Sequence, residues 1–223
     1  MIINDDFRNH YGRINWANAY VISDPPYNQN YHYIRYKDNL LDDEYAMLLC
    51  TAFGNRKAAI VHYPEESINI LPRILGECNE VVSWVYPSNT AKQSRLITWW
   101  GGAKPDFRKV GQDYKNPTDK RIAKRIEEGK RARLYDWWEI NQVKNVSKSD
   151  NPHPCPIPYE LAERIILTTT TPGDTVIDPF AGSGTVIKAA LANGRKAIGF
   201  EIDPIYAEYA AANIGELNAS KTH

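Results

Sequence analysis

The residues of this chain that could do chemistry are concentrated in one short stretch, "SDPPYNQNY". In it the acid Asp24 follows an apolar run and is followed directly by Pro25, Pro26 and Tyr27. Proline has no backbone N–H and a fixed φ, so two consecutive prolines end a strand and hold the neighbouring groups rigidly. The stretch therefore predicts a carboxylate and an aromatic ring that are fixed side by side at the tip of a strand.

A second constellation, "DPFAGSGT" at residues 178–185, joins an acid at the end of a strand pattern to a glycine turn and the start of a helix. Gly182 and Gly184 permit a tight turn and a close approach of the backbone to a ligand, beside the positive end of a helix. A dinucleotide fingerprint requires a small residue where this chain has Ile187, and a P-loop requires a lysine after the last glycine. The turn therefore matches neither of these phosphate-binding motifs.

The next predicted strand, "AIGFEID", supplies an acid where nucleoside binding requires one. Glu201 follows the glycine turn by about 20 residues, which is where doubly wound nucleotide sites place a carboxylate for the ribose hydroxyls. A glycine turn, a ribose acid and no lysine for phosphates fit a cofactor that has adenosine but no phosphate groups. S-adenosylmethionine (SAM) is such a cofactor.

The elements that must position these motifs alternate between strand and helix patterns. Short apolar runs predict strands at 18–24, 57–64, 80–87, 132–140, 174–180 and 196–203. Helical spacing predicts helices at 42–54, 66–76, 118–130, 159–170, 184–194 and 204–214, and residues 145–158 are predicted to form a loop. This succession predicts an α/β fold with a doubly wound, mostly parallel sheet. If the strands that end at Asp24 and Asp178 are neighbours, the two motifs meet at one crevice.

The composition is that of an ordinary globular protein, with 43% hydrophobic and 24% charged residues. No apolar run has the length of a membrane span, and the first ten residues lack the pattern of a signal peptide. Three widely spaced cysteines, Cys50, Cys78 and Cys155, form neither a disulfide framework nor a metal-binding pair. We therefore expect a cytoplasmic protein that has no metal centre and does not associate with a membrane.

A formal charge of zero hides a basic island in the middle of the chain. Residues 104–133 contain eleven Lys and Arg against five Asp and Glu, whereas both flanking blocks have a surplus of acids. Aromatic residues flank and interleave these bases, which suits a polyanion with stackable faces; a solvated helix face is the alternative. The basic residues that we expect to contact DNA are Arg108, Lys109, Arg121, Lys124 and Arg125.

These motifs together carry a family resemblance. "DPPY" at 24–27 and "DPFAGSGT" at 178–185, with its FxGxG core, resemble the two signature motifs of the DNA amino-methyltransferases, which methylate adenine N6 or cytosine N4. "HPCPIPYELAERII" at 153–166 resembles the motif that precedes the cofactor strand in this family, although many members read HPTQKP where this chain reads HPCPIP. The order of the motifs is that of the family's β group. The resemblance implies a SAM-dependent methyltransferase (Rossmann-like) fold with a catalytic half at 1–87, an inserted target-recognition region at 88–145 and a cofactor-binding half at 146–223.

The resemblance also implies a role for each motif residue. The Asp24 carboxylate and the Pro25 carbonyl accept hydrogen bonds from the exocyclic amine, which favours its nucleophilic geometry, and Tyr27 stacks on the base. A rigid tip that includes Pro26 suits this task, and the base must leave the duplex to reach it. The residues implied to bind SAM are Asp178, Phe180, Ala181, Gly182, Ser183, Gly184, Thr185 and Glu201.

Several alternatives concern the substrate. Adenine N6 is favoured because an acid opens the tetrapeptide, whereas cytosine N4 enzymes more often carry serine there; cytosine N4 is the next alternative. Pro154-Cys155 matches the dipeptide of cytosine-C5 methyltransferases, but it lies before the cofactor motif and we interpret Cys155 as incidental. RNA or a protein amide is a less favoured acceptor, and a non-catalytic DNA-binding partner is a different class. We expect double-stranded DNA as the partner, and further expectations are a cognate restriction endonuclease and a homodimer.

Overall fold

The computed structural model describes residues 1–89, 91–143 and 152–220 and shows an α/β architecture around one large sheet. Eight strands of the described residues form this sheet, and two more form a separate ribbon. The strands are β1 (Ile2–Asn4), β2 (Ala19–Ser23), β3 (Lys57–His62), β4 (Glu80–Val85), β5 (Ser94–Trp100), β6 (Gly111–Gln112), β7 (Ala132–Arg133), β8 (Trp137–Glu139), β9 (Thr175–Asp178) and β10 (Lys196–Glu201).

The order across the large sheet is β1-β10-β9-β2-β3-β5-β4-β8. Strand β5 runs antiparallel to both of its neighbours, and all other adjacent pairs are parallel. The predicted doubly wound, mostly parallel sheet is therefore confirmed. The carboxyl ends of the parallel strands share one edge of the sheet, which is where ligands bind in open α/β folds.

Helices cover both faces of the sheet, because strands that are buried on both sides need two apolar partners. They are α1 (Asp42–Phe53), α2 (Pro64–Asn69), α3 (Leu71–Leu75), α4 (Lys120–Glu127), α5 (Tyr159–Thr169), α6 (Thr185–Ala192) and α7 (Pro204–Ser220). One core cluster packs residues of α5 and α6 on one face, and a second packs residues of α1 and α3 on the other. Within the described part of the chain, no helix is both long and apolar enough to cross a membrane.

Two predicted elements are divided in the structure. The helix predicted at 66–76 is two short helices, because Pro72 lies in the first turn of α3, where its missing N–H is tolerated. The strand predicted at 132–140 was wrong as one element, since β7 pairs with β6 and β8 pairs with β4. Between these two strands the buried Leu134 donates its backbone N–H to the Phe107 carbonyl, which turns the chain from the ribbon toward the sheet. Residues 145–151 of the predicted loop lie outside the described residues.

The range predicted as the target-recognition region contributes two strands to the large sheet. β5 and β8 both lie within 88–145, and the part of that range between these two strands is 101–136. This part consists of the β6–β7 ribbon with α4 between its strands. Phe107 anchors it by packing edge-on against Trp99 and Trp138 of the core. The three-part division at 87 and 145 stays a prediction.

Candidate active site

The two motifs meet because the strands that carry them are neighbours. β2 pairs with β9 in parallel, with Val21 opposite Ile177. At the carboxyl ends of the two strands, Ser23 Oγ donates a 2.5 Å hydrogen bond to Asp178 Oδ1. The condition under which the two motifs meet at one crevice, adjacent strands ending at Asp24 and Asp178, is therefore met, and a serine hydroxyl ties the two strand ends together.

A cavity of about 210 Å³ opens at this edge and takes residues from both motifs. The tip contributes Asp24, Pro25 and Tyr27 to its wall, and the second half of the chain contributes Phe180, Gly182 and Glu201. The cavity is also lined by five tyrosines that the sequence did not assign to the site: Tyr31, Tyr33, Tyr36, Tyr63 and Tyr206. The structure thus brings the proposed amine acceptors and the proposed cofactor loop into one compartment.

The two prolines of the tip have different surroundings. The Pro26 carbonyl accepts a 2.9 Å hydrogen bond from the buried Tyr45 hydroxyl on α1, and Pro26 is not among the residues that line the cavity. Pro25 lies in the cavity wall instead. Tyr45 therefore fixes the orientation of the second proline while the first one faces the ligand space.

Asp24 is a largely buried carboxyl, with 16% of its side chain exposed, and it has two close partners. Tyr27 donates its hydroxyl hydrogen bond to Asp24 Oδ1, and Arg95 Nη1 lies 3.7 Å from Oδ2. Burial raises the pKa of Asp24 to about 6, and the positive charge of Arg95 and the bond from Tyr27 limit this rise. At pH 7 the carboxyl is therefore mostly an anion, and below about pH 6 it is mostly protonated.

A loop that follows the tip is organised by one carboxylate. Asp38, which is 3% exposed, accepts backbone hydrogen bonds from Asn28 at 2.8 Å, Gln29 at 3.0 Å and Tyr31 at 3.0 Å. Asn28 adopts a φ of 55°, a left-handed conformation that asparagine tolerates better than most residues. Asp38 thereby fixes the segment that places Tyr31 and Tyr33 in the cavity wall. The asparagine-rich "YNQNY" stretch was the only sequence signal for this turn.

The glycine turn is held by the acid at the end of β10. Gly182 donates its N–H to Glu201 Oε2 at 2.9 Å, and Asp203 donates its N–H to Glu201 Oε1 at 2.8 Å. Gly182 has a φ of 51°, and a Cβ there would lie 2.8 Å from His153 Nε2. A side chain at this position would therefore collide with the ring of His153. Burial raises the pKa of Glu201.

The remaining residues of the second motif lie behind the cavity. Asp178 is 1% exposed, accepts from Ser23 and from the Phe180 N–H, and has its pKa raised to about 7 by burial. Gly184, with a φ of 76°, lets the turn approach α7, since a Cβ would lie 2.9 Å from Ala210. Ala181, Ser183 and Thr185 are among the residues that line a second, narrower crevice. The hydroxyls of Ser183 and Thr185 share a 2.9 Å hydrogen bond.

Charge in the main cavity favours a cationic ligand. Its wall has five acids against three arginines, and among the acids Asp203 keeps one carboxylate oxygen, Oδ2, buried and without a hydrogen-bond partner in the described residues. The other oxygen of Asp203 accepts from the first turn of α7. An orphaned carboxylate oxygen at a cavity wall calls for a donor from a ligand, because an unpaired buried acceptor is costly. A ligand that carries hydroxyl or amino donors and a positive charge fits both observations.

The five basic residues that are predicted to bind DNA do not line the cavity. Arg121, Lys124 and Arg125 are exposed on α4, and Arg121 is 3.8 Å from its neighbour Asp119. Arg108 is also exposed but pairs with Asp106 at 2.9 Å. Lys109 Nζ donates to the Thr170 carbonyl at 3.0 Å, which ties the start of the ribbon to the end of α5.

Two further predictions concern metals and thiols. No group of three or more His, Cys, Asp or Glu side chains that could hold a metal ion occurs in the described ranges. Cys155 lies in the cavity wall, and burial raises the pKa of its thiol. A thiol with a raised pKa is a poor nucleophile at neutral pH, since the thiolate is the reactive form.

Comparison with known proteins identifies the family. The model of the DNA methylase family, N6_N4_Mtase, matches residues 51–212. The chain therefore belongs to the N6/N4 DNA methylase family. The DNA adenine methyltransferase YhdJ of Escherichia coli K12 is 26% identical over 242 residues, which cover 91% of this chain and 81% of YhdJ.

Solved structures of DNA methyltransferases share the fold. The cytosine-N4-specific PvuII DNA methyltransferase matches 97% of this chain and 90% of its own with a TM-score of 0.63 at 18% identity. M1.HpyAVI, crystallised as a complex with SAM, matches 96% of this chain and 98% of its own with a TM-score of 0.62 at 19% identity. The predicted SAM-dependent methyltransferase fold is thereby confirmed.

Proposed function

We propose that this chain transfers a methyl group from SAM to the N6 amine of an adenine that is flipped out of double-stranded DNA. The observation that carries the proposal is the shared cavity, in whose wall the Asp24–Pro25 tip and the Gly182–Glu201 turn lie together. An amine held at the first and a methyl donor held at the second are within one compartment. Membership of the N6/N4 DNA methylase family supports the same reaction class.

The cavity residues fit SAM as the donor. SAM supplies an electrophilic methyl group on a positively charged sulfonium when it is bound. Phe180 and Gly182 would hold it from the turn, and Glu201 and Asp203 would accept hydrogen bonds from its hydroxyl or amino donors. The surplus of acids in the wall favours a cation over the uncharged product that remains after transfer. The SAM complex of M1.HpyAVI, a protein of the same fold, is consistent with this assignment.

The tip acts on the acceptor amine. Asp24 and the Pro25 carbonyl accept hydrogen bonds from the two N–H groups, which draws the nitrogen lone pair away from the ring and toward the methyl donor. Because Tyr45 already binds the Pro26 carbonyl, the Pro25 carbonyl is the one left for the substrate. Tyr27 provides an aromatic face that replaces the stacking lost when the base leaves the duplex.

Adenine is the preferred base for two reasons. The tetrapeptide opens with an acid, and the relative YhdJ, which aligns over 91% of this chain, is named an adenine methyltransferase. Cytosine N4 is the second candidate, since the PvuII enzyme of the same fold is specific for it. The exposed arginine and lysine side chains of α4 are proposed to bind the DNA backbone. That the protein pairs with a cognate restriction endonuclease, and that it forms a homodimer, stay predictions.

Nucleoside mass spectrometry tests the proposed reaction directly. Unmethylated bacterial DNA is incubated with the protein and SAM and then digested to nucleosides. We expect N6-methyladenine; N4-methylcytosine would correct the base, and the absence of any methylated nucleoside would refute the proposal for DNA.

Two variants separate the mechanisms in the same assay. Asp24→Ala is expected to abolish methylation while DNA binding is largely retained, because it removes an amine acceptor and leaves the basic helix intact. Cys155→Ser is expected to remain active. Complete loss in Cys155→Ser, with a normal thermal melt, would instead favour a thiolate mechanism on cytosine C5.

A further inference from the structure

The antiparallel strand β5 brings a cation to the catalytic edge. Because β5 runs opposite to its neighbours, its first residues lie where β3 and β4 end. Arg95 is the second residue of β5 and pairs in register with Trp84 near the end of β4. It is 8% exposed and lies in the cavity wall. A buried arginine thus enters the site from a strand on which sequence reasoning placed no functional residue.

The surroundings of Arg95 stabilise a charge that burial would otherwise disfavour. Its guanidinium carbon lies 5.2 Å from the ring centroids of Tyr27 and Tyr63 and 5.3 Å from that of Trp84. Aromatic faces at such distances attract a cation, most strongly where water is excluded. The acid that faces this cation is Asp24.

The distance between the two charges has a functional consequence. Arg95 Nη1 and Asp24 Oδ2 are 3.7 Å apart, which is longer than a hydrogen bond but short for two charges in a buried site. The guanidinium therefore favours the anionic carboxylate without occupying its lone pairs. A hydrogen-bonded, bidentate arginine would have filled the acceptor positions that a substrate amine needs.

We propose that Arg95 is a positioning residue for methyl transfer, which keeps Asp24 anionic with its acceptor oxygens available and holds the Tyr27 ring beside it. The inference rests on the proposed function and adds to it a residue outside both motifs. It also gives a role to a buried arginine whose Nε has no hydrogen-bond partner among the described residues.

The ionisation of Asp24 follows from its neighbours. Burial raises its pKa, and Arg95 is the strongest influence in the opposite direction. The other titratable groups that face Asp24 are Tyr27, Tyr33, Tyr45, Tyr86, Cys155 and Asp178. The tyrosines and the cysteine have raised pKa values and stay neutral between pH 5 and 8, so Asp178 is the one whose titration must be separated from that of Asp24.

A direct test measures the ionisation of Asp24 in the free protein. The carboxyl ¹³C resonances of aspartate are titrated from pH 4.5 to 8.5, and Asp24→Asn and Asp178→Asn assign the two signals. We expect a midpoint near 6 for Asp24 in the parent protein, a midpoint at least about one unit higher in Arg95→Met, and a value between these in Arg95→Lys. Equal midpoints in all three would overturn the proposal.

The matched control is Lys92→Met. Lys92 also lies over the Tyr63 ring, at 4.1 Å, but it is 47% exposed and pairs with Glu65 on the surface. Removing its charge should leave the Asp24 midpoint unchanged; a shift as large as that of Arg95→Met would overturn the specific role of Arg95. If Arg95→Met does not fold, Arg95→Lys carries the test, since its ammonium reaches Asp24 less well and must raise the midpoint.

Single-turnover methylation at several pH values connects the titration to activity. A rise of about one unit in the Asp24 midpoint lowers the rate of Arg95→Met relative to the parent by about fivefold at pH 6, and the deficit shrinks toward pH 9. A deficit that is the same at every pH would show a merely structural role and overturn the proposal. If the parent protein methylates no DNA, the proposed function fails, whereas the titration still decides the role of Arg95.

Discussion

In the free protein the Tyr27 hydroxyl donates a hydrogen bond to the Asp24 carboxylate three residues earlier. The ring that we propose as the stacking face for the base is thereby also a partner of the group that we propose as its acceptor. An entering amine can take Oδ2 directly, or it can displace the tyrosine from Oδ1. The two tasks of Tyr27 can be separated by substitution.

Tyr27→Phe and Tyr27→Ala should differ in steady-state kinetics on duplex DNA. Tyr27→Phe keeps the ring, so at pH 8 its kcat/KM should stay within about threefold of the parent protein. Tyr27→Ala loses the stacking face, which is worth about 1–3 kcal/mol per base, and kcat/KM should fall by about tenfold or more. If the two variants are equally impaired at pH 8, the ring has no separate role in holding the base.

The pH dependence of kcat/KM should show an acid limb near pH 6. Asp24 is a strong hydrogen-bond acceptor as an anion, and below its pKa of about 6 the protonated carboxyl accepts more weakly and carries an O–H donor in place of one acceptor. The rate should therefore fall by about tenfold per pH unit below 6 and level off above it. The measurement is a pH–rate profile at constant ionic strength. A limb at the ordinary aspartate value would contradict the burial of Asp24 in the working enzyme.

Asp178→Asn should change the stability of the fold with a definite sign. The folded-state pKa of Asp178 is about 7 against an ordinary value of 3.8, so the folded form holds its proton more tightly than the unfolded chain. Stability from this group is fully present below about pH 4 and is lost as pH rises through 7. The asparagine variant should match the parent at pH 4 and exceed it at pH 8, by at most about 4 kcal/mol.

Denaturant unfolding at the two pH values measures this difference. Because Ser23 and the Phe180 N–H can still donate to the amide oxygen, the turn itself should be preserved in Asp178→Asn. A variant that is less stable than the parent at pH 8 would show that Asp178 is stabilised as an anion.

The basic face of α4 should account for much of the salt dependence of DNA binding. Arg121, Lys124 and Arg125 are exposed, so changing all three to Gln should weaken binding and flatten the slope of log K against log salt. The slope should change by about 0.9 for each DNA phosphate that the variant no longer neutralises. Lys57 and Lys196 provide the control, since both are exposed at the starts of strands, on the edge opposite the cavity. Equal effects of both sets would mean that binding is a general property of the surface.

The sequence predicted the parts of the site that depend on local chemistry. Two prolines after an acid, and glycines between a strand and a helix, are compatible with few backbone conformations. The sequence therefore predicted both motifs at the ends of strands, which is where the structure has them. The rule that ligands gather at the carboxyl ends of parallel strands predicted a shared crevice on the condition that β2 and β9 are neighbours, and their adjacency itself is seen only in the structure.

The contributions that were missed depend on distant contacts. Arg95 reaches the cavity wall because β5 is inserted in reverse between β3 and β4, and the stretch "SRLITWW" gives no sign of that direction. Asp38 acts through a loop closure that depends on left-handed asparagines. β1 has three residues, too few for a periodic pattern to be recognised, and it is defined only by its pairing with β10.

That pairing has a consequence for how the protein is made. β1 and β2 are synthesised well before their partners β10 and β9, with more than 150 residues between each pair. Pairings of such large sequence separation form slowly and leave strand edges unpaired in the meantime. The two walls of the cavity come from strands that are far apart in the sequence, so the cavity cannot form before β9 and β10 have been synthesised. We expect the ability to bind the methyl donor to be acquired in a single late step of folding.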